Sequence, residues 1–306
     1  MNRPSSCYHP LVGSFRSHLE ALYARNGTVV MGVLNVTPDS FFDGGRWLGE
    51  AGMRQADELI AEGAAILDIG GESTRPTARR VSAGQQLERI EPILKYVLSH
   101  HDVLVTVDTT NAEVADFALK AGAHAINDVS CLADPELASV VAAHAAGLIL
   151  MHSRGDMSQM PGFSQISEDA YADVVTEVKC EWRRAREVAI ARGVAAEDIA
   201  FDPGVGFWKS TLHSISVLQR VEEFSDLEAP IVVGPSRKSF LNVFGSISPE
   251  KRLGGSLAAC LYVAEKGVHA VRVHDVLATR QALDFMHLFR QKSVSSRVQR
   301  ESRIVG

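Results

Sequence analysis

The chain has 306 residues, 46% of them hydrophobic, and a formal net charge of −6, which argues against bulk attraction to nucleic acid or to an anionic membrane surface. Its four cysteines lack CxxC spacing, so the sequence indicates reduced thiols in a cytoplasmic protein and neither a zinc cluster nor a disulfide framework. It shows no apolar run long enough to span a bilayer and no signal-peptide core, so we expect a cytoplasmic, single-domain protein that binds small molecules.

Residues 1–27 have weak periodicity, and the stretch 14–25 fits either a helix that covers one end of the fold or a loose extension. From Thr28 onward, short apolar runs alternate with helical patterns, and the runs end at polar residues or at glycine. The runs lie at 29–34, 65–67, 103–107, 125–126, 148–151, 199–201, 230–233 and 271–273. Eight strand and helix units in a chain of this length predict an α/β fold, a single-domain (β/α)8 TIM barrel, whose active site lies at the carboxyl ends of the strands.

The helical patterns fall at 50–62, 83–99, 112–121, 135–144, 168–191, 253–266 and 278–289, with a further strand, turn and helix unit across 199–224. Polar loops longer than a simple turn follow the first, second and fifth runs, and such loops suit a lid or a metal site. Residues 293–306 carry three arginines without an apolar face and predict a disordered tail. The predicted division is an extension at 1–27, the barrel at 28–292 and the tail at 293–306.

The seventh run is followed by Gly234-Pro235-Ser236-Arg237-Lys238-Ser239, a sequence that predicts a sharp turn and then the first turn of a helix. Two cations and two hydroxyls then lie where backbone amides at the helix start can join them against an anion. Taken alone, the pattern fits an ordinary strand-to-helix turn with solvated basic residues equally well.

Four strand ends bring together side chains that suit one flat heterocycle: Asp108, Asn127, Asp202 and Lys238. A ring with an amino-pyrimidinone edge has adjacent N–H groups for a carboxylate, ring nitrogens for an amide and a carbonyl oxygen for a lysine. The alternative is a buried ion-pair network at the barrel mouth. The occurrence of all four at strand ends favours the ligand-binding interpretation.

The first and last strands become neighbours when a barrel closes, which places Asn35 beside Arg272 and His274. Because side chains alternate along a strand, the arginine and the histidine share one face. An arginine fork and a histidine donor suit a diphosphate, with the Asn35 side-chain oxygen available to Mg2+. His152, at the end of the fifth run, has no obvious His or Cys partner, and we interpret it as a packing or supporting residue.

These segments together resemble the dihydropteroate synthase family over roughly residues 29–289. The matching motifs, in chain order, are Asn35-Val36-Thr37-Pro38-Asp39-Ser40-Phe41, Asp68-Ile69-Gly70-Gly71-Glu72-Ser73-Thr74-Arg75-Pro76, Val107-Asp108-Thr109, Asn127-Asp128-Val129-Ser130, Met151-His152, Asp202-Pro203-Gly204, Ser236-Arg237-Lys238-Ser239-Phe240 and Arg272-Val273-His274-Asp275. The resemblance implies a transferase that condenses 6-hydroxymethyl-7,8-dihydropterin diphosphate with p-aminobenzoate to give 7,8-dihydropteroate and diphosphate. It also implies Mg2+ as cofactor and a homodimer as the assembly.

The resemblance implies roles for individual side chains as well. The substrate-binding positions that it implies are Thr74, Asp108, Asn127, Asp202, Phe207, Gly234, Ser236, Lys238, Arg272 and His274, and the catalytic ones are Arg75, Asp108, Lys238, Arg272 and His274. Asn35 is the implied metal ligand, and Ser236, at a helix N-terminus, is the implied receptor of the aminobenzoate carboxylate. Thr74 and Arg75 are implied to belong to a mobile loop that closes over the site.

Two other functions share parts of this pattern: a pterin-binding paralogue without turnover, and a folate-binding methyltransferase domain that serves a corrinoid partner. A paralogue without turnover would not need binding sites for diphosphate and aminobenzoate. A methyltransferase domain would not need the segment 236–238 beside Arg272 and His274, so both features argue against these alternatives. Trp208 departs from the family pattern, which usually has glycine at this position, and its bulk is expected to narrow the site near the sixth strand.

Overall fold

A computed structural model describes residues 14–37, 48–72, 81–155, 159–162, 164–243, 245 and 247–290. Within these ranges, eight parallel strands form one sheet in the order β6-β5-β4-β3-β2-β1-β8-β7. The strands are β1 (Val29–Asn35), β2 (Ile66–Gly70), β3 (Leu104–Asp108), β4 (Ala125–Asp128), β5 (Gly147–Met151), β6 (Ile199–Asp202), β7 (Val232–Val233) and β8 (Ala270–Val273). A bridge between Phe201 and Ile231 joins β6 to β7. The sheet therefore closes on itself, and the predicted (β/α)8 barrel is confirmed.

One helix precedes the first strand, and the other helices follow strands and pack around the outside of the sheet. The helices are α1 (Phe15–Asn26), α2 (Leu48–Ala61), α3 (Ala83–His100), α4 (Ala112–Ala121), α5 (Glu136–Ala143), α6 (Val174–Ala191), α7 (Thr211–Gln219), α8 (Leu253–Glu265) and α9 (Val276–Arg290). The bounds of α4 are those predicted, and most of the others differ by one or two residues at an end. Along the stretches that the structure describes, no helix combines the length and the hydrophobicity needed to cross a membrane.

The expected start of the sixth helix at residue 168 is wrong, because α6 begins at Val174. Asp173 is the N-cap residue, and its side chain accepts a hydrogen bond from the Thr176 amide at 2.8 Å. The Glu177 carboxylate, one turn into the helix, accepts hydrogen bonds from the amides of Ala172 and Asp173 at 2.7 and 3.1 Å. Capping side chains decide this start, and apolar periodicity does not locate it.

The segment after β7 also differs from its prediction. The expected first helical turn at 236–239 is absent, since Ser239–Leu241 forms only a short 3-10 turn and the next α-helix, α8, begins at Leu253. Arg237 has a φ of 59°, which is incompatible with a right-handed helix. Its amide donates to the Ser256 hydroxyl of α8 at 3.0 Å. Ser236 therefore lies in a loop and not at the N-terminus of an α-helix.

Alternate side chains of each strand point into the barrel, and those nearest its amino-terminal end form an apolar layer. The strand residues of this layer are Val29, Met31, Ile66, Leu104, Ala125, Ile149, Ala200, Val232 and Ala270, and Phe15 and Leu19 of α1 pack against them. The side chains between them, such as Leu67, Val105 and Ile126, belong to the larger core between the sheet and the helices. This period of two fixes which strand residues can meet at the carboxyl end.

Helix α1 covers the amino-terminal end of the barrel, so the first of the two interpretations of residues 14–25 is correct. The Ser14 hydroxyl caps the helix by accepting a hydrogen bond from the Ser17 amide at 3.2 Å. Phe15 and Leu19 are buried against the inward apolar layer. A Cβ atom on Gly147 would lie 2.5 Å from the Phe15 side chain, so glycine is required where the helix enters. The barrel is therefore closed at the end opposite the strand ends that carry polar residues.

Candidate active site

A polar layer lies one pleat above the apolar layer. In five strands, the residue two positions after an inward apolar side chain is polar: Asp68 after Ile66, Thr106 after Leu104, Asn127 after Ala125, Asp202 after Ala200 and Arg272 after Ala270. All but Arg272 are buried. Because their strands are parallel and paired, these side chains converge inside the carboxyl end of the barrel.

Arg272 bridges two carboxylates from neighbouring strands. Its Nε donates to Asp68 Oδ2 at 2.6 Å, and its Nη2 donates to Asp108 Oδ2 at 2.7 Å. Asp68 is fully buried and also accepts a hydrogen bond from the Thr106 hydroxyl at 2.5 Å. A guanidinium is the side chain that can reach two carboxylates with a fixed planar fork. The two aspartates thus fix the arginine in one orientation.

Asn127 presents an unpaired acceptor to the pocket. Its Nδ2 donates to Asp68 Oδ2 at 3.1 Å, which fixes the orientation of the amide. Its Oδ1 is buried and has no hydrogen-bond partner among the described residues. A buried amide oxygen without a donor costs about 1–3 kcal/mol, so such an atom indicates a ligand that supplies an N–H group.

Lys238 lies against the loop that follows β6. Its Nζ donates to the Val205 carbonyl at 2.7 Å and lies 4.3 Å from the centre of the Phe207 ring, a cation–π contact. A Cβ atom on Gly206 would lie 3.3 Å from the Lys238 side chain, so the glycine lets the lysine pass close to the loop. Asp202, at the end of β6, is buried and accepts a hydrogen bond from the Gly204 amide at 2.7 Å.

Lys238 and Arg272 face the same pocket. A Cβ atom on Gly234 would lie 3.7 Å from Lys238 Nζ and 3.7 Å from Arg272 Cβ, so the glycine separates the two cations by a small gap. A single substrate pocket requires the Lys238 and Arg272 side chains to face the same side of the molecule, as they do. Gly234 therefore lies between the two cationic side chains and at van der Waals distance from both, and its role in substrate binding stays a prediction.

Burial moves the pKa values of the charged groups toward neutrality. Burial raises the pKa of Asp108 to about 7, although the Arg272 charge acts in the opposite direction. It also raises the pKa of Asp202, against the influence of Lys238. Burial lowers the pKa of Lys238 to about 7, although Asp202 favours its charged form. The pocket therefore contains groups that change charge near neutral pH.

Asn35 lies at the end of β1, on the side of the pocket next to Asp108. A Cβ atom on Gly70 would lie 3.5 Å from Asn35 Oδ1 and 3.5 Å from Asp108 Cβ, so the amide oxygen points toward the same opening. Among the described residues, no group of three or more His, Cys, Asp or Glu side chains has the arrangement of a metal site. A single protein oxygen fits Mg2+ when substrate oxygens and water complete its octahedron.

Ser236 and His274 meet beside Arg272. The Ser236 hydroxyl is buried, lies 3.1 Å from His274 Nδ1 and accepts a hydrogen bond from the His274 amide at 3.3 Å. The structure thus brings the loop after β7 and the end of β8 together, as the sequence predicts. The expected contributions of Thr74 and Arg75 lie outside the described residues.

Asp68 and Lys209 belong to this region and were not among the sequence-predicted site residues. Asp68 stands two positions after the inward Ile66, the same spacing as the predicted Asn127 and Asp202 have from their inward neighbours, and this spacing is the signal that identifies it. Lys209 is fully buried in the loop after β6. No pattern in the sequence distinguishes it from a solvated lysine.

The arrangement suits a flat ligand whose edge carries both donors and acceptors. Asp108 and Asp202 accept, Asn127 offers its free oxygen, and Lys238 donates. Beside it, Arg272, His274 and Asn35 form a region suited to an anion and a cation together. A ligand with a polar heterocycle and a phosphate group would use both parts.

Comparison with known proteins also indicates a protein that binds a polar heterocycle. A model of the pterin binding enzyme family matches residues 31–274. The dihydropteroate synthase of Synechocystis sp. is 41% identical over 257 residues, which are 83% of this chain and 87% of that protein. A solved structure of Xanthomonas albilineans dihydropteroate synthase with 4-aminobenzoic acid has a TM-score of 0.80 and 37% identity, covering 88% of this chain and 95% of that one. The Clostridium difficile enzyme, solved in the presence of pteroic acid, has a TM-score of 0.79 and 36% identity, covering 87% and 98%.

Proposed function

The chain belongs to the dihydropteroate synthase family of pterin-binding enzymes, and we propose that the side chains at its barrel mouth divide this family's reaction among them. The protein is a transferase that joins 6-hydroxymethyl-7,8-dihydropterin diphosphate to 4-aminobenzoate and releases diphosphate. The observation that carries the assignment of residues is the unpaired Asn127 oxygen, which lies in the layer that also holds Asp202 and the Arg272 bridge.

In this assignment, the pterin ring lies in the polar layer. Asn127 Oδ1 accepts a ring N–H group, and the amide stays oriented because Asp68 holds its other end. Asp202 and Asp108 accept further N–H groups of the amino-pyrimidinone edge, and Lys238 donates to its carbonyl oxygen. Phe207 packs beneath the Lys238 ammonium and supplies an apolar surface for the ring.

The reaction then follows from charge and position. The bond between the exocyclic methylene and the diphosphate oxygen breaks, and the aniline nitrogen of 4-aminobenzoate forms a bond to that methylene carbon. One proton of the aniline nitrogen leaves to the departing diphosphate. Nε and Nη2 of Arg272 are directed at the two aspartates, so we assign its Nη1 together with His274 to the departing diphosphate. Asp108 stabilises positive charge that develops on the pterin side. Holding both substrates in line accounts for most of the rate enhancement.

Mg2+ fits this site through Asn35, whose oxygen faces the opening beside Asp108. When bound, the ion neutralises charge on the diphosphate. Thr74 and Arg75 lie outside the described residues, and the roles that the family resemblance implies for them stay predictions.

A turnover assay tests the proposal. Purified protein given the dihydropterin diphosphate, 4-aminobenzoate and Mg2+ is expected to release diphosphate and form dihydropteroate, as detected by mass spectrometry. Pterin binding by calorimetry without any product would instead indicate a binding protein that lacks turnover. Methyl transfer to a corrinoid protein, with no condensation product, would indicate the methyltransferase alternative.

Ser236→Ala is expected to raise the KM for 4-aminobenzoate about 5–10-fold, because one hydroxyl hydrogen bond to a carboxylate contributes about 1–1.5 kcal/mol. The pterin dissociation constant should change by less than about 2-fold, because Ser236 lies beside His274 in the loop after β7 and not in the polar layer. Steady-state kinetics and calorimetry measure the two quantities. An equal loss for both substrates would show that the two subsites are misassigned.

The pH profile of kcat/KM for the pterin substrate is expected to be bell-shaped, with both limbs near pH 7. Asp108 must be ionised to accept, and its pKa is raised to about 7, so activity falls below that pH. Lys238 must be charged to donate, and its pKa is lowered to about 7, so activity falls above it. Lys238→Met is expected to have low activity and no alkaline limb, and an unchanged limb would mean that another group titrates there.

We also propose that the protein acts as a homodimer in the cytoplasm. Helices α8 and α9 expose apolar side chains away from the mouth, including Tyr262, Phe285 and Phe289, which are 41%, 63% and 82% exposed. Exposed aromatic residues along neighbouring helices suit burial against a second copy. Sedimentation as a monomer at micromolar concentration would contradict this assembly.

A further inference from the structure

Lys209 is a buried basic side chain that the assignment above does not use, and burial lowers its pKa to about 7. It lies in the loop after β6 and is fully buried. Its Nζ is 2.9 Å from His152 Nδ1 and 3.3 Å from the Phe207 carbonyl oxygen. Burying an ammonium is costly unless its hydrogen bonds are satisfied, so this position requires a specific reason.

His152 sets the direction of the hydrogen bonds around Lys209. It is fully buried, and its Nε2 lies 2.8 Å from Glu181 Oε2. Burial lowers the pKa of His152 to about 3, so the ring is neutral. A carboxylate only accepts, so Nε2 carries the proton and Nδ1 accepts from Lys209. The lysine therefore donates to both of its partners.

The chain of contacts continues through Glu181 to Arg154 and Tyr171. Arg154 Nε donates to the Glu181 carboxylate at 3.0 Å, and its guanidinium lies 3.6 Å above the centre of the Tyr171 ring. The Tyr171 hydroxyl donates to the Trp208 carbonyl at 3.0 Å. We call Lys209, His152, Glu181, Arg154 and Tyr171 the Lys209 network. Its two ends hold two successive carbonyl groups, those of Phe207 and Trp208.

The loop that these carbonyls belong to needs such support. Trp208 has a φ of 48°, a conformation that is strained for a bulky side chain. The same loop supplies two contacts of Lys238, to the Val205 carbonyl at 2.7 Å and to the Phe207 ring at 4.3 Å. The position of the Lys238 ammonium thus depends on a strained loop whose Phe207 and Trp208 carbonyls are held by the Lys209 network.

We propose that Lys209 is a positioning residue, which acts through the loop after β6 to place Lys238 against the pterin. This role rests on the proposed assignment of Lys238 to the pterin carbonyl. It requires the hydrogen bonds of Lys209 to His152 and to Phe207, and it does not require Lys209 to touch a substrate. Loss of the network should therefore weaken pterin binding while leaving the aminobenzoate subsite at Ser236 largely intact.

Calorimetric titration of the full chain with the dihydropterin diphosphate tests this role. Lys209→Met and His152→Leu are each expected to weaken pterin binding about 10-fold or more, because small displacements of a binding group have large effects. His152→Gln keeps one acceptor and one donor and should stay within about 3-fold of the wild type. Lys179→Met, which removes a lysine bound to Asp226 on the far side of α6, is the matched control and should bind pterin normally.

The KM for 4-aminobenzoate at saturating pterin should change less than about 2-fold in these variants, a split that a general loss of stability would not produce. Wild-type pterin affinity in Lys209→Met and His152→Leu would overturn the role, as would equal losses in His152→Leu and His152→Gln. If Lys209→Met and His152→Leu do not fold, Tyr171→Phe tests the positioning role instead. This variant removes only the hydroxyl oxygen from the Lys209 network and is expected to weaken pterin binding about 3-fold. An unchanged affinity there overturns the role. Failure of the wild type to bind pterin would refute the proposed function itself.

Discussion

Arg272→Lys is expected to reduce kcat/KM by about 100–1,000-fold. The guanidinium donates to Asp68 through Nε and to Asp108 through Nη2, at 2.6 and 2.7 Å. An ammonium is a single point charge and cannot reproduce this bridge, so one buried carboxylate loses its partner. Removing one donor that stabilises charge in the transition state costs about 2.7–4 kcal/mol, which corresponds to a factor of about 100–1,000 in rate.

Steady-state kinetics with the dihydropterin diphosphate measures this loss. The matched control is Arg280→Lys on α9, where the arginine also donates through Nε and Nη2 to one exposed carboxylate, that of Asp284, at 3.0 and 2.7 Å. That pair lies on the surface, so activity should stay within about 2-fold. More than a tenth of wild-type activity in Arg272→Lys would show that the two-carboxylate bridge is not needed for turnover.

Asp108→Asn is expected to weaken pterin binding about 100-fold while leaving the unfolding temperature at pH 8 equal to or above that of the wild type. The amide keeps the shape of the side chain but loses the charge that accepts from the pterin and pairs with Arg272. Burial raises the pKa of Asp108 to about 7, so at pH 8 the folded protein holds a carboxylate that its surroundings disfavour. The variant has no buried carboxylate to keep ionised, so it should be at least as stable as the wild type although it binds pterin more weakly.

The sign of this effect follows from proton linkage. A carboxyl whose pKa is raised in the folded state stabilises the fold fully below its unfolded pKa, near 3.8, and loses that contribution as pH rises through about 7. The wild type should thus lose part of its stability between these pH values, and Asp108→Asn should lose less. Calorimetric melting at pH 5 and pH 8 measures the difference, with the surface variant Asp116→Asn as control. A variant that melts well below the wild type at pH 8 would show that Asp108 contributes to folding and is not held at a cost.

The sequence predicts the barrel and most of its site because strand geometry repeats. Apolar runs mark the strands, and parallel strands bring their ends together, so Asp108, Asn127, Asp202 and Arg272 could be placed at one mouth without coordinates. Asp68 follows the same spacing rule, yet a lone aspartate inside an apolar run is equally compatible with a structural role. Its function appears only when Arg272, Asn127 and Thr106 are seen to converge on it.

Other features depend on contacts between distant segments, which no local pattern reveals. The start of α6 is decided by the capping side chains of Asp173 and Glu177. The loop after β7 does not become a helix because the amide of Arg237 binds a hydroxyl on α8, 19 residues later. Lys209 reads as an ordinary surface lysine until His152, 57 residues earlier, is found beside it. Tertiary context overrides local propensity in all three cases.

Helix α1 closes the amino-terminal end of the barrel, so the site opens only at the carboxyl ends of the strands. Its Phe15 and Leu19 fill the base, so both substrates and both products must pass the same rim. In the assignment that we propose, the pterin lies at the depth of Asn127 and 4-aminobenzoate lies nearer to Ser236, so the pterin is expected to bind first. Because the barrel is closed at one end, the substrates are expected to bind in a fixed order. The charged side chains of the site lie above the apolar layer, which excludes water from beneath them during the reaction.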